Sequence, residues 1–200
     1  GMSFDAFSFI RKFSPDPRRT TAFDRINDIF IYENTAESTY ITDSAASGTA
    51  MFTGQKTNND IIGQDKTAVY KEKDGKNVKN LIEYAHDKKM LTGVLTNVRV
   101  THATPACMYA HINNRGYEWT IAEQLADADI DLIMGGGSTN FLTKEEIDPF
   151  SGLNGRRTDG KSLFKTFEKK GYAFIKNADE LTAMDMKSKR ILGLFNPSHM

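Results

Sequence analysis

The segment TDSAASGTA (residues 42–50) sets one acid and one serine ahead of side chains that are almost all small. Two readings fit it. In one, Asp43 or Ser44 caps a helix, accepting from its first free N–H groups, and Ala-rich helix formers follow. In the other, Ser44 is displayed at a helix N-terminus, where free N–H groups and the dipole favour an anion and small neighbours let it come close. A serine hydroxyl is a poor nucleophile until its proton is removed or its alkoxide is stabilised. The strained G-x-S-x-G turn that often displays such a serine is missing, because Thr42 and Ala46 stand where the glycines would be. A metal ion can do the same work by holding the alkoxide and screening an incoming anion.

Further on, THATP (101–105) places His102 and Thr104 two apart, a spacing that points both side chains to one side of an extended chain. Hydroxyls are poor zinc ligands. Magnesium differs, since it takes oxygen ligands and keeps waters that a histidine can orient. The competing reading is a surface helix start, with Thr104 as cap and Pro105 in the first turn. Arg115 carries a planar fork able to hold two phosphate oxygens, although an arginine on a polar loop is ordinarily a solvated charge. His86 and His111 lie in or beside amphipathic stretches without a second ligand at metal spacing, and read as structural. Gly135-Gly136-Gly137 has neither nucleotide-loop spacing and reads as a tight connection.

These residues need elements to position them. DIFIYE (28–33) reads as a strand, 44–54 as a helix ended by Gly54, and 55–76 as loop. Asn77 is the expected cap of a helix reaching residue 89, with Val78, Leu81, Ile82 and Ala85 on one face. A strand buried on both faces follows at 91–98, then helices at 103–112 and 119–126 and a strand at 131–134. A loop containing Pro149, Gly152 and Gly155 leads to a helix (161–170), a strand (172–175), a helix (178–184) and a strand (190–195). This alternation predicts an α/β fold, a mainly parallel central sheet sandwiched between helices. Ligands bind outside the carboxyl ends of such strands, and the segments carrying Ser44 and His102 share that rim.

Bulk composition narrows the function. With 39% hydrophobic and 26% charged residues in 200, the chain is an ordinary globular domain with length for a core. Its 26 basic and 26 acidic residues balance, which argues against nucleic acid as a partner. The cluster Arg11, Lys12, Arg18, Arg19 is broken by Pro15 and Pro17 and reads as a solvated loop. The single Cys107 excludes an internal disulfide. No apolar run is long enough to cross a membrane, and GMSFDAFSFIRKF lacks the order of a signal peptide.

Taken together, residues 42–65, THATPACMYAHINNR (101–115), DIDLIMGGG (129–137), RRTDGKSL (156–163) and RILGLFNPSHM (190–200) resemble alkaline phosphatase. The resemblance implies hydrolysis of phosphate monoesters through a phosphoserine, with two zinc ions and one magnesium. Under it Ser44 is the nucleophile and a zinc ligand, Asp43 orients Arg115, and Arg115 clamps two substrate oxygens. Thr104 is a magnesium ligand, and His102 sits beside that site through water. Small phosphorylated molecules are then the substrates, a homodimer is admitted, and the location is secreted, periplasmic or cell-surface. The family's first aspartate, before a Gly-Met pair, and its carboxyl-terminal ligands have no counterpart here. The resemblance therefore implies an interior, partial piece of a single catalytic domain over 1–200, inactive alone. A related metal-dependent phosphodiesterase or sulfatase, and a binding module in which Ser44 and Thr104 merely cap helices, are the alternatives.

Overall fold

The computed structural model describes residues 12–16, 34–149, 151–184 and 190–200. The chain divides into two units, residues 1–33 and 34–200, and the second carries every element below. The expected strand at 28–33 and most of the basic cluster at 11–19 lie outside the described residues.

Helix α1 (Ser44–Thr53) begins at Asp43, whose side chain accepts from the Ala46 N–H at 2.8 Å. It stops at Gly54, where φ of 74° suits a residue without Cβ. Its buried side is Ala45, Ala46, Gly48 and Thr49. Small residues there allow close approach of a second helix, α3 (Ala103–Ala106). A Cβ built on Gly48 would lie 2.9 Å from Cys107 Sγ. That sulfur in turn donates to Ala45 O at 3.3 Å.

Between these helices in chain order comes α2 (Leu81–Asp87), which starts later than expected. Asn80, not Asn77, caps it, because Asn80 and Glu83 form a reciprocal capping box that satisfies two free N–H groups. Asn77 instead accepts from Gln64 Nε2 in the preceding loop. Helix α3 is shorter than the expected 103–112. The backbone of His111 is taken by the Gln124 amide, and Ile112 exchanges two backbone hydrogen bonds with Ile62. Tertiary pairing overrides local helix preference there.

The sheet contains β1 (Gly93–Arg99), β2 (Leu132–Gly136), β3 (Ala173–Phe174) and β4 (Ile191–Leu194), all parallel, in the order β1-β2-β4-β3. Val94 pairs with Ile133, and Ile133 with Leu192; all three are fully buried. Burial of all four β4 residues means that the sheet centre is covered on both faces. Helix α4 (Glu118–Asp127) buries Ile121, Ala122, Leu125 and Ala126, while α5 (Leu163–Lys169) buries Leu163 and Phe167. Helix α6 (Ala178–Ala183) is capped by Asn177.

All the strands point the same way, so α3, the turn after β2 and residues 195–200 share one rim. The three glycines do more than turn the chain. A Cβ on Gly136 would lie 1.9 Å from Ser198 O, so the bare strand end lets the segment after β4 cross directly over it. Gly137 N–H fixes that crossing by donating to Asn196 O at 2.8 Å.

Candidate active site

Asp43 joins three segments. Beyond capping α1 through Oδ1, its Oδ2 accepts from Asp60 N–H at 3.0 Å and from Arg115 Nη1 at 2.9 Å. The Asp43 N–H donates to Asn59 Oδ1 at 3.0 Å, and Arg115 N–H donates to Asp60 O at 2.9 Å. Loop 59–60 thus seats both partners of the ion pair. Ser44, the first helical residue, is half-buried. Among the described residues its hydroxyl has no hydrogen-bond partner. Asp43, not Ser44, is the cap.

On the neighbouring turn, His102 is the residue before α3 and makes no side-chain cap bond. Thr104 therefore lies inside the helix rather than capping it; its side chain is exposed and, like that of Ser44, unclaimed among the described residues. His102 reaches Arg115 instead, with Nε2 3.3 Å from Nη2. Burial, then the positive charges of Arg115 and Arg99, hold His102 below its ordinary pKa. Its imidazole is neutral near pH 7, and Nε2 can accept from the guanidinium. Asp43 and His102 therefore steady the two ends of the Arg115 fork, and each Nη nitrogen keeps a second hydrogen for a ligand.

Behind this pair is a network that spacing did not reveal. Glu118, in the first turn of α4, accepts from Arg99 Nε at 2.8 Å and Nη2 at 2.7 Å, from Thr101 Oγ1 at 2.6 Å and from Asn140 Nδ2 at 2.8 Å. Burial raises the Glu118 pKa, but the hydrogen bonds from Arg99 and Thr101 outweigh it and hold the carboxyl below its usual value. Arg99 also reaches His199, with Nη1 2.7 Å from Nε2, and the His199 ring stands edge-on to His102 at 5.3 Å. His111 is structural: it meets Gly63 O at 2.6 Å and bridges to Asn80 and Glu83.

The donors suited to a cation are thus two hydroxyl oxygens, Ser44 and Thr104, with His102 nearby. Among the described residues no group of three or more His, Cys, Asp or Glu is arranged to hold a metal ion. A zinc site needs about three such protein ligands, so the described residues do not by themselves fit zinc; the Thr104 oxygen suits a hard cation such as magnesium.

A family model for alkaline phosphatase matches residues 10–200. The chain belongs to the alkaline phosphatase family. It is 32% identical over 189 residues to alkaline phosphatase 4 of Bacillus subtilis (strain 168), covering 91% of this chain and 36% of that protein. Its fold is similar to that of the alkaline phosphatase from the Antarctic bacterium TAB5, with a TM-score of 0.79 and 26% identity, over 100% of this chain and 52% of that one. A histidine-to-aspartate variant of the TAB5 enzyme, with Mg bound in the M3 site, matches at a TM-score of 0.77 and 26% identity, over 97% and 49% of the two chains. The chain spans about a third of the length of the curated relatives it matches. Family membership agrees with the parallel α/β sheet expected from the sequence. No helix among the described residues is long and apolar enough to cross a membrane.

Proposed function

We propose that these residues carry the nucleophile and the substrate clamp of a phosphomonoesterase that works through a phosphoserine. The observation behind this reading is the unclaimed hydroxyl of Ser44 at the start of α1, next in sequence to an Asp43–Arg115 pair 2.9 Å long. Arg115 holds two non-bridging oxygens of the phosphate with the hydrogens that Asp43 and His102 leave free. Ser44 Oγ gives up its proton and attacks phosphorus; the ester P–O bond breaks as the new bond forms, and the leaving oxygen takes a proton from solvent and departs as the alcohol. Water then attacks phosphorus, the Oγ–P bond breaks, inorganic phosphate is released and Oγ regains its proton. A phosphate monoester fits the fork better than a diester, whose second substituent would replace one of the oxygens that Arg115 binds.

Two zinc ions and one magnesium belong to the same proposal. When bound, such cations supply the positive charge that makes a serine hydroxyl acidic and that offsets charge on the phosphoryl group. Ser44 and Thr104 would each contribute one oxygen, and His102 would order water beside Thr104. The magnesium in the TAB5 variant supports that ion. Among the described residues no group of three or more His, Cys, Asp or Glu is placed to complete a zinc site.

The test is to quench the full-length protein in acid after exposure to radiolabelled phosphate and to map the label. Label on Ser44, lost in Ser44→Ala with the circular dichroism spectrum unchanged, is the expected result. Label on another residue overturns the assignment.

A further inference from the structure

His102 and Arg115 approach each other from different segments, one leaving β1 and the other entering α4. Asp43 secures one side of Arg115. The other side depends on how the loop at 115 is held against the turn at 99–102, and among the described residues one carboxylate, Glu118, spans that gap. Glu118 takes Arg99 at the end of β1, Thr101 immediately before His102, and Asn140 from the segment after β2. Asn140 closes the arrangement by also donating to Thr101 Oγ1 at 3.0 Å. From Glu118 back to Arg115 the chain is short and braced: Asn114 Oδ1 accepts from Gly116 N–H at 2.8 Å, and Asn114 O accepts from Tyr117 N–H at 3.1 Å. Displacing Glu118 therefore displaces Arg115 relative to His102.

Charge points the same way. Arg99 and Arg115 flank His102, and each has its own acid, Glu118 for Arg99 and Asp43 for Arg115. The Arg99–Glu118 pair is four-fifths buried, with side chains 18% and 20% exposed, so its geometry is not loosened by solvent. We infer that Glu118 is a positioning residue, which sets the aim of the Arg115 fork by locking the loop at 115 to the turn that carries His102. Glu118 does not itself touch the phosphate. The inference rests on Arg115 being the substrate clamp.

The test measures inhibition by inorganic phosphate and turnover of p-nitrophenyl phosphate in the full-length, metal-loaded protein. Glu118→Gln keeps the size of the side chain but sets an NH2 group against the Arg99, Thr101 and Asn140 donors. The phosphate inhibition constant and KM should rise about tenfold, with kcat changed less than about twofold, the scale of a partly lost charged hydrogen bond. Loss of folded protein would lower kcat and leave the inhibition constant alone, so the split reports position rather than stability. Glu118→Asp keeps the charge and should give a smaller rise; it also serves if the Gln variant fails to fold. In an Arg115→Ala background, Glu118→Gln should leave the inhibition constant within about twofold, because the group it positions is gone. An unchanged constant in both Glu118 variants overturns the inference, and so does a full rise on top of Arg115→Ala. Arg115→Ala without any effect on phosphate inhibition overturns the clamp itself, and this inference with it.

Discussion

Asp43→Asn separates two roles that one carboxylate performs. As a helix cap, asparagine is nearly equivalent to aspartate, so a residue that only capped α1 would tolerate the change within about 0.5 kcal/mol. Asp43 also accepts from Asp60 N–H at 3.0 Å and from Arg115 Nη1 at 2.9 Å, both on Oδ2. If the asparagine oxygen keeps the cap on Ala46 N–H, its NH2 group faces two N–H donors. The loss is one hydrogen bond between charged groups, worth about 1.5–3 kcal/mol, together with an N–H pressed against an N–H. The two side chains are 22% and 23% exposed, so water relieves only part of this. A cost of about 2–3 kcal/mol follows, which for a unit of this size lowers Tm by roughly 4–12 °C. Urea unfolding followed by circular dichroism gives the free energy, with an unchanged slope confirming that the native state is still compact. In an Arg115→Ala background the same substitution should cost less than about 1 kcal/mol, since its main partner has been removed. A cost below about 0.5 kcal/mol with Arg115 present, or an equal cost in both backgrounds, would refute the view that Asp43 holds Arg115.

Arg157 is fully buried and gives its hydrogens to Glu123, Asp159, Trp119 O and Asn140 O. Arg157→Met should cost about 3 kcal/mol, the low end for breaking a buried pair, because Glu123 and Asp159 are 32% and 30% exposed and can take up water; a urea midpoint unchanged from wild type would contradict this. Burial pushes the Cys107 thiol up to about 12 from 9.0, with the Thr49 hydroxyl offsetting only part of the rise. The folded state therefore keeps a proton that the unfolded chain releases above pH 9, so this stabilisation is complete below pH 9 and is lost as pH climbs toward 12. Urea midpoints between pH 8 and 11 should fall more steeply for the wild type than for Cys107→Ala, and parallel slopes would contradict the burial.

Much of the rim could be read from residue types because its signals are local. Asp43 before a run of small residues, and Gly54 at the end of it, suffice to define α1, and the alternation of strands and helices suffices for the parallel sheet. What escaped was settled by distance in the chain. The start of α2 was legible in the Asn80-x-x-Glu83 spacing, but Asn77 competed for the role until Gln64 claimed it. The helix expected through residue 112 stops at 106 because Ile62, fifty residues earlier, pairs with Ile112. Arg99 and Glu118 carry no mutual spacing rule, and nothing in the residues around Arg157 signals that it lies wholly inside. For ions, the pairing partner decides burial, and partners are set by the fold.

The strand order β1-β2-β4-β3 has a consequence for how the chain is made. Among the described residues strand β3 hydrogen-bonds only to β4, and β4 lies between it and β2. When residues 173–174 leave the ribosome, the strand they must join has not yet emerged. At about 5–20 residues per second, β2 waits several seconds for β4 with an open edge, and β3 waits roughly one to four seconds more than a hairpin strand would. An exposed parallel edge on a nascent chain is where misassociation starts. Among the described strands, β4 is thus the one that joins β3 to the rest of the sheet, and that joining is timed by the arrival of Ile191–Leu194.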